Sequence, residues 1–269
     1  MVSHQLDNSV GDALYNGYWY RDLHWNLHYH RGYEFVWVLS GRVRARVGER
    51  EYLLGEGDAL FIIPYLFHSY ETVGSSEVFI AVFAGGHVGK FVSATTGKEP
   101  TDAKFTVPEA LATYLFSDMV RLPESREKNQ ILIKKPPLYV LKASLYAVCG
   151  EFFRVARWQK KEQNNELVFQ MISYVEENFA EDITLKSVSE ALSYEYHYLS
   201  RVLRTSLHMR FCTLVNQYRC ERAKELITQT DKPLSEIAMN CGFQSIRSFN
   251  RAFLDIVGCT PSSIRKGKE

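Results

Sequence analysis

Cysteine is scarce in this sequence and is not arranged in pairs. The five cysteines are an odd number, lie far apart and form no CxxC motif. This pattern argues against a disulfide framework and against a structural zinc site, so we expect reduced, partly buried thiols. The cysteines are Cys149, Cys212, Cys220, Cys241 and Cys259.

Long apolar runs and an excess of charge of one sign are lacking as well. No stretch approaches the roughly 18 consecutive apolar residues of a membrane helix, and the first residues resemble no signal peptide. We therefore expect a cytoplasmic protein. Because 32 Lys and Arg face 31 Asp and Glu, any surface for nucleic acid must be local. At roughly 150 residues per domain, the length predicts two domains.

The first half of the chain has an apolar period of two. Between Gly17 and Phe83, short apolar or alternating segments are separated by turn residues at Ser40-Gly41, Gly48 and 55–58. Such spacing predicts short strands in a sandwich or small barrel. The pattern predicts that the strand 34–39 ends at Gly41.

The period then becomes helical. Thr106 is a candidate cap and Pro108 a first-turn residue for a helix that presents Leu111, Leu115, Met119 and Leu122 on one face before Pro123. A second helix is predicted after Pro136-Pro137. These helices could pack on the barrel, on each other or against a second subunit. The polar stretch 158–165 is predicted to be a linker, with the domain boundary near 160–166.

The C-terminal part contains an internal repeat. Residues 198–203 recur at 248–253, and residues 188–193 match 237–242 at nearly the same offset. Each copy reads as a short helix, a tight turn and a second helix, which is the helix-turn-helix layout. Gly242 occupies the turn of the second copy, and Ser193 takes that position in the first.

The second helix of each copy carries side chains suited to DNA. Arginine can bind guanine with two donors, asparagine can do the same with adenine, and serine and arginine also bind phosphates. The candidate DNA-binding residues are His197, Ser200, Arg201, Arg204, Arg247, Ser248, Asn250 and Arg251. From 197 to 269 there are twelve Lys and Arg against six Asp and Glu, whereas 170–196 has one Lys and six acids. A basic face that only contacts solvent is the alternative interpretation.

The segment between the copies predicts one helix over 214–227. At about 1.5 Å per residue, it would hold the two motifs roughly 25–35 Å apart. That distance is close to one turn of B-DNA, about 34 Å. One chain could therefore contact two successive major grooves on the same side of a duplex.

Residues 168–267 resemble the DNA-binding domain of the AraC/XylS regulators. The most specific stretch of the resemblance is Tyr218-Arg219-Cys220-Glu221-Arg222-Ala223-Lys224-Glu225-Leu226. The resemblance continues through 235–238, Gly242-Phe243, 248–253, Gly258-Cys259-Thr260-Pro261 and Arg265. It implies two helix-turn-helix units, about 185–206 and 235–256, joined by a linker helix and recognising a promoter. Ser193, Leu203 and His208 depart from the family pattern in the first unit.

Histidines in the first half follow the spacing H-x-H-x3-E-x6-G. His28, His30, Glu34 and Gly41 fit it, and Gly57-Asp58 leads through Pro64 to His68. This pattern resembles the cupin barrel, whose metal-binding members use the matching positions as ligands. The residue types suit zinc, iron, nickel or manganese. Because sensor domains of the regulator family often keep these residues without a metal, our prediction is a ligand-binding set, His28, His30, Glu34 and His68, with no metal and no cofactor.

The resemblances together predict an α+β chain. Residues 1–160 would form a cupin-like β-barrel with two following helices for ligand sensing and dimerisation, and 161–269 an all-α DNA-binding domain. The favoured hypothesis is a regulator, not an enzyme, controlled by a small molecule such as a sugar. Its expected partners are promoter DNA, RNA polymerase and a second copy. A cupin metalloenzyme with a DNA-binding tail and a barrel used only for dimerisation are the alternatives. Nearby aromatic residues could stack on a sugar, although such residues more often pack cores: Tyr18, Trp19, Tyr20, Trp25, Tyr33 and Trp37.

Overall fold

A computed structural model describes residues 14–120, 128–161, 163–207 and 209–267, together with the backbone of Ser3–His4. At 163–165 only the backbone is described. The chain divides into two compact units, 1–161 and 162–269. Within the described residues, no helix is both long and apolar enough to cross a membrane.

The N-terminal unit is rich in strands. Nine strands form one sheet, and two short strands pair separately. The strands are β1 Ser3–His4, β2 Tyr15–Arg21, β3 His24–Tyr29, β4 Tyr33–Val47, β5 Arg50–Leu54, β6 Asp58–Ile62, β7 His68–Phe83, β8 Lys98–Pro100, β9 Lys104–Thr106, β10 Gln130–Ile133 and β11 Trp158–Lys160.

Two long antiparallel strands, β4 and β7, organise this sheet. The first part of β7 also pairs with β3, while its last part pairs with β2. Strand β4 similarly pairs with β6 near its start and with β5 near its end. Each long strand thus takes part in two stretches of sheet with different neighbours, which brings β3 and the start of β7 together.

The start of β4 is buried on both faces. Phe35 and Trp37 belong to the apolar cluster that includes the helices of this unit, whereas Val36 and Val38 belong to a second cluster. Burial on both faces explains why the sequence here is a continuous apolar run rather than an alternation. Glu34 shares the face of Val36 and is buried with it.

The prediction that a strand ends at Ser40-Gly41 is wrong. Strand β4 continues through Gly41, where the register with β7 shifts on either side. Gly41 has φ +78°, and an added Cβ would overlap the carbonyl oxygen of Ser75. The glycine therefore marks a bulge within a paired strand rather than a turn between strands.

The helices of the N-terminal unit are α1 Gly89–Thr95, α2 Glu109–Asp118 and α3 Leu138–Val155, and a short 3-10 turn precedes α1. The second predicted helix is α3. The sequence pattern placed Leu138, Leu141, Leu145 and Val148 or Cys149 on one face; Leu138 is exposed and the others are buried, as are Leu115 and Met119. The predicted cap is wrong, because Thr106 ends β9 and α2 begins after Pro108 without a side-chain cap. Leu122 and Pro123 lie outside the described residues.

The two units divide between 161 and 162, within the predicted linker 158–165, but most of this segment has regular secondary structure. Residues 158–160 form β11, which pairs with β8, and a helix already begins at Gln163. The indole of Trp158 lies 5.8 Å from the ring of Phe152 and 6.1 Å from that of Phe91, between ring centroids. Aromatic packing therefore orders a segment whose composition is otherwise polar.

The described part of the C-terminal unit contains helices only. These are α4 Gln163–Asn178, α5 Leu185–Leu192, α6 Tyr196–Ser206, α7 Phe211–Gln229, α8 Leu234–Asn240, α9 Ile246–Val257 and α10 Pro261–Lys266. The long α7 includes the predicted linker helix and extends it at both ends. Its 19 residues span about 28 Å at about 1.5 Å per residue.

Candidate nucleic-acid interface and buried polar cluster

Helices α5 and α6 form the first helix-turn-helix. Thr184 and Ser187 cap α5 reciprocally through their side chains and backbone N–H groups. Ser193 adopts the left-handed conformation, with φ 58°, and ends α5. The Ser189 hydroxyl donates to the carbonyl of Tyr194 at 2.6 Å. The turn thus forms with serine in place of glycine.

Helices α8 and α9 form the second helix-turn-helix. Gly242 has φ +84° in its turn. Ser245 then caps α9 by accepting a hydrogen bond from the backbone N–H of Ser248 at 3.1 Å. The two turns therefore share one backbone conformation at equivalent positions of the repeat, although only the second has the residue that adopts it without strain.

The exposed face of α6 carries three of the predicted DNA-binding residues. Leu199, Val202 and Leu203 are buried, so Leu203 fills the core position at which the family pattern has phenylalanine. His197, Arg201 and Arg204 are exposed and Ser200 is half-buried. The Arg201 guanidinium lies 5.3 Å from the ring centroid of Tyr198, which orients it along the helix surface. His208 lies outside the described residues.

Helix α9 repeats this division. Phe249, Ala252 and Phe253 face the core. Its polar face presents exposed side chains at Arg247, Asn250 and Arg251, with Ser248 half-buried. The Ser248 hydroxyl donates to the carbonyl of Ser245 at 2.8 Å, so it supports the start of the helix.

Sequence reasoning missed Glu195, which caps α6. Its carboxylate accepts a hydrogen bond from the backbone N–H of Tyr198 at 2.8 Å. The N–H groups of His197 and Tyr198 lower the pKa of Glu195. A carboxylate thus stands at the start of α6, where α9 has the neutral Ser245. The signal was visible as an acid three residues before Tyr198, a common capping spacing.

Two clefts lie beside α7, and both are lined by Asn216 and Arg219. One, of about 420 Å³, adjoins α6 at Ser200 and Arg204. The other, of about 510 Å³, adjoins α9 at Ser248 and Arg251. The candidate residues of both recognition helices therefore border one α7 surface, which the repeat alone did not reveal.

The four predicted ligand-binding residues of the N-terminal unit come together in a buried cluster. His28 and His68 are directly opposite in the β3–β7 pairing, His30 follows β3, and Glu34 lies in β4. All four are at most 2% exposed. Their potential ligand atoms lie within 4.8 Å of one another. Tyr70, which the sequence analysis did not select, joins them.

Hydrogen bonds orient the three imidazoles alike. The Nδ1 atoms of His28, His30 and His68 lie 2.8, 3.0 and 2.7 Å from the backbone carbonyls of residues 26, 32 and 66. A carbonyl only accepts, so each Nδ1 carries a proton. In the neutral ring this leaves Nε2 as an acceptor. Such second-partner bonds also orient histidines that bind metals.

Glu34 lies at the centre of these acceptors. Its Oε2 is 2.9 Å from His30 Nε2, and its Oε1 accepts from the Tyr70 hydroxyl at 2.6 Å and lies 3.6 Å from His68 Nε2. Neutral rings would place lone pairs against a carboxylate. A cation shared by these atoms, either a proton on a ring or a metal ion, would satisfy the cluster.

Burial and neighbouring charge shift the titration of this cluster. Burial, reinforced by His68, lowers the pKa of His28 to about 3. Burial also lowers the pKa of His30, although Glu34 opposes this. Burial would raise the pKa of Glu34, but His68 and His30 hold it well below its ordinary value. Burial and Glu34 together raise the pKa of Tyr70.

Most of the candidate aromatic residues are core residues. Trp19, Tyr33 and Trp37 pack in the cluster that includes the helices, and Tyr20 packs in the other cluster. The partly buried rings, Tyr18 and Trp25, pack against that second cluster. Trp25 is also in ring contact with a cluster histidine, 5.7 Å from His28 between ring centroids.

Comparison with protein families matches both regions. Residues 188–267 match the helix-turn-helix domain family, and residues 25–83 match the cupin domain family. An uncharacterised HTH-type transcriptional regulator from Staphylococcus aureus is 36% identical over 102 residues, which cover 38% of this chain. The chain spans only 14% of the length of that relative.

Two further similarities extend along the chain. The uncharacterised HTH-type transcriptional regulator YdeC of Bacillus subtilis is 23% identical over 89% of this chain and 86% of its own. The structure of ToxT from Vibrio cholerae superposes with a TM-score of 0.59 at 14% identity, covering 94% of this chain and 98% of ToxT. At that identity, the likeness establishes the fold.

These observations define a two-domain protein in which a cupin domain precedes a helix-turn-helix domain. The predicted α+β fold class is confirmed. The resemblance to AraC-type regulators with a cupin-like N-terminal domain, which the repeat and the histidine motif predicted, is confirmed by these matches.

Proposed function

We propose that the chain is a sequence-specific DNA-binding transcription regulator. The observation that carries this proposal is the pair of repeated helices, α6 and α9, each with exposed arginine on its polar face and joined by a single long helix. Arg201 and Arg204 on α6, and Arg247, Asn250 and Arg251 on α9, are the proposed base and phosphate contacts. His197, Ser200 and Ser248 flank these contacts.

Selection of bound duplexes from a random DNA library by the full chain tests this function. The expected result is an enriched site with two half-sites about one helical turn apart. Competition by unselected DNA at physiological salt then measures specificity. Enrichment of no sequence by folded protein would overturn the proposal.

We further propose that the N-terminal unit binds a small polar effector, such as a sugar or related metabolite. His28, His30, Glu34 and His68 offer converging acceptors inside an otherwise apolar core, which suits a ligand with polar hydrogen-bond donors better than an apolar one. A ToxT structure from V. cholerae is described with an unsaturated fatty acid bound. Fatty acids are therefore the second ligand class to be tested. Thermal shifts of the chain with sugars and with fatty acids decide between these classes.

A metal-binding cupin is the second candidate function. The converging Nε2 atoms and the Glu34 carboxylate favour it, because such a set of ligand atoms suits a metal ion. The ligand set would be His28, His30, Glu34 and His68, and a bound metal would supply Lewis acidity. Metal analysis of protein purified without chelator is expected to find about one ion per chain for this set of four ligands. Glu34→Gln should lower that content, whereas the exposed His24→Gln should not. No metal after reconstitution would reject this candidate.

A second copy of the chain and RNA polymerase are proposed partners, and the cytoplasm is the proposed location. The support for a second copy is the set of exposed apolar side chains on α3, which are Leu138, Tyr139, Tyr146, Phe153 and Val155. Sedimentation equilibrium of the full chain and of Tyr139→Glu tests self-association.

A further inference from the structure

The two helix-turn-helix units meet at a second place besides α7. The meeting point is the corner segment, residues 179–181, which connects α4 to α5 and so precedes the first unit. Arg219 on α7 donates from Nε to the carbonyl of Phe179 at 2.7 Å and from Nη2 to the carbonyl of Glu181 at 2.8 Å. One side chain thus binds both ends of the corner segment.

The same arginine reaches the second unit. Its guanidinium lies 5.7 Å from the ring centroid of Phe243, which directly follows the turn of that unit. Arg219 is half-buried and its Nε and Nη2 donors are occupied by carbonyls. Its position in both clefts therefore reflects its place between the units.

Gly242 lies in close contact with the backbone of the corner segment. A Cβ built on Gly242 would lie 2.6 Å from the carbonyl oxygen of Ala180 and 2.8 Å from that of Phe179. Real Cβ atoms do not approach backbone so closely. The turn of the second unit is thus in backbone contact with the segment that leads into the first.

We propose that Arg219 is a positioning residue that, with Gly242 against the corner segment, fixes the rotational phase of the two helix-turn-helix units and so the half-site spacing that the protein accepts. The inference rests on the proposed DNA-binding function. A helix joining two units fixes their distance, but twisting and bending of that helix can still change their angle. Bidentate binding of the corner segment removes that freedom, because a planar guanidinium holds two acceptors in fixed directions.

The spacing is a sensitive readout of this phase. Inserting a single base pair between the half-sites moves the second one by about 3.4 Å and rotates it by about 34°. A rigid pair of units must then distort or release one half-site. If the angle between the two helix-turn-helix units is variable, both units can still bind when the second half-site is displaced.

The test compares full-length wild type, Arg219→Met and the control Arg222→Met. Arg222 is exposed on the same helix and binds Glu225 at 2.7 Å, so the control removes an equal charge elsewhere. The DNA is the duplex selected by the wild type, the same duplex with a single base pair inserted or removed between half-sites, and a single half-site. Mobility-shift titration gives the affinity for each.

The wild type and the control are expected to lose about tenfold or more in affinity on insertion, in line with the cost of a lost base contact. Arg219→Met should lose less than about threefold on insertion while keeping its affinity for a single half-site. An insertion penalty in Arg219→Met equal to that of the wild type would overturn the proposal. So would an equal loss on every duplex, which indicates only a structural role.

If Arg219→Met does not fold, Arg219→Lys is used in the same titrations. Lysine keeps the charge but presents no planar fork, so a penalty between those of wild type and a loose pair is expected. Hydrogen exchange followed helix by helix supplies a readout without DNA. Helices α8 and α9 should exchange together with α4–α6 in the wild type and independently of them in the Arg219 variants.

The two proposals fail in distinguishable ways. If the wild type enriches no duplex, the DNA-binding function is rejected, and hydrogen exchange still decides whether Arg219 couples the units. If the wild type enriches a site and the Arg219 variants keep both its spacing penalty and its coupled exchange, only the positioning role is rejected.

Discussion

Gly242 is held by two independent constraints, its left-handed backbone and its contact with the corner segment. Gly258 has nearly the same φ, +80° against +84°, but nothing lies within 4 Å of its missing side chain. The sequence predicted Gly242 in a turn only because glycine readily adopts a positive φ. The close approach to residues 179 and 180, which lie over sixty positions earlier, arises only in the folded chain.

The matched pair separates these two constraints. Gly258→Ala is expected to destabilise the C-terminal unit by about 1 kcal/mol, the cost of left-handed backbone for alanine. Gly242→Ala adds steric overlap and should cost about 3 kcal/mol or more. Urea unfolding followed by far-UV circular dichroism measures both. Equal losses would show that the contact with the corner segment yields freely.

Ser193 carries the backbone strain that its counterpart Gly242 avoids. Ser193→Gly is therefore expected to stabilise the C-terminal unit by about 0.5–1 kcal/mol, after the greater entropy of unfolded glycine is subtracted. The control Ser235→Gly lies in α8 and should instead destabilise it by about 0.5 kcal/mol. The same urea titration measures both. A destabilised Ser193→Gly would mean that the serine side chain supports the turn.

At the scale of single elements, helical periodicity predicts which side chains are buried more reliably than strand alternation predicts where strands begin and end. The buried faces of α6 and α9, and that of α3 apart from Leu138, follow from spacing alone, because a helix repeats its contacts within a few residues of sequence. Strand β4 contains a turn-like glycine and still continues, because its partner β7 supplies a bulged register. Strand β11 forms because Trp158 reaches rings brought together from 91 and 152.

Recognition helix α9 carries the sharpest prediction at this scale. Arg251 is exposed beside Asn250 on its polar face, and Arg251→Ala is expected to weaken specific binding by about 1–3 kcal/mol while relaxing specificity at one base. Lys224→Ala removes an exposed charge from α7 as the control and should change affinity by less than about 1 kcal/mol. Titration against the selected duplex and its single-base variants measures both. Unchanged affinity in Arg251→Ala would remove this residue from the interface.

On the scale of the whole molecule, the two units can be observed separately. All four tryptophans, Trp19, Trp25, Trp37 and Trp158, lie in the N-terminal unit. Tryptophan fluorescence therefore reports on the unit that contains the histidine cluster. The helical signal of circular dichroism reports largely on the C-terminal unit.

Acid should destabilise the N-terminal unit first. The unfolded chain protonates His28 below its ordinary pKa of 6.5, whereas the folded chain resists protonation until about 3. The unfolded state then binds more protons, so the free energy of unfolding falls as the pH decreases through this range. The lowered pKa of Glu34 acts in the same direction at lower pH.

Urea titrations at pH 7 and pH 5, with chelator and tryptophan fluorescence, measure this effect. The midpoint should decrease at pH 5. The dependence should weaken in His28→Gln and persist in His24→Gln, which changes an exposed histidine. A midpoint independent of pH would contradict the buried neutral state of His28.

The sequence by itself determined the features that rest on local periodicity and on spacing within a motif. These are the change from strand to helix periodicity between the two domains, the repeated helix-turn-helix, the polar faces of its second helices, and the four residues that form the buried polar cluster. Tertiary structure alone decided the continuation of β4, the order at Trp158, the entry of Tyr70 into the cluster and the meeting of Arg219 and Gly242 with the corner segment. These contacts join residues far apart in the chain, and no local pattern specifies which distant carbonyl or ring will be brought within reach. The energies of these contacts depend on the burial of the groups and on the direction of the hydrogen bonds, which are set only when the chain has folded.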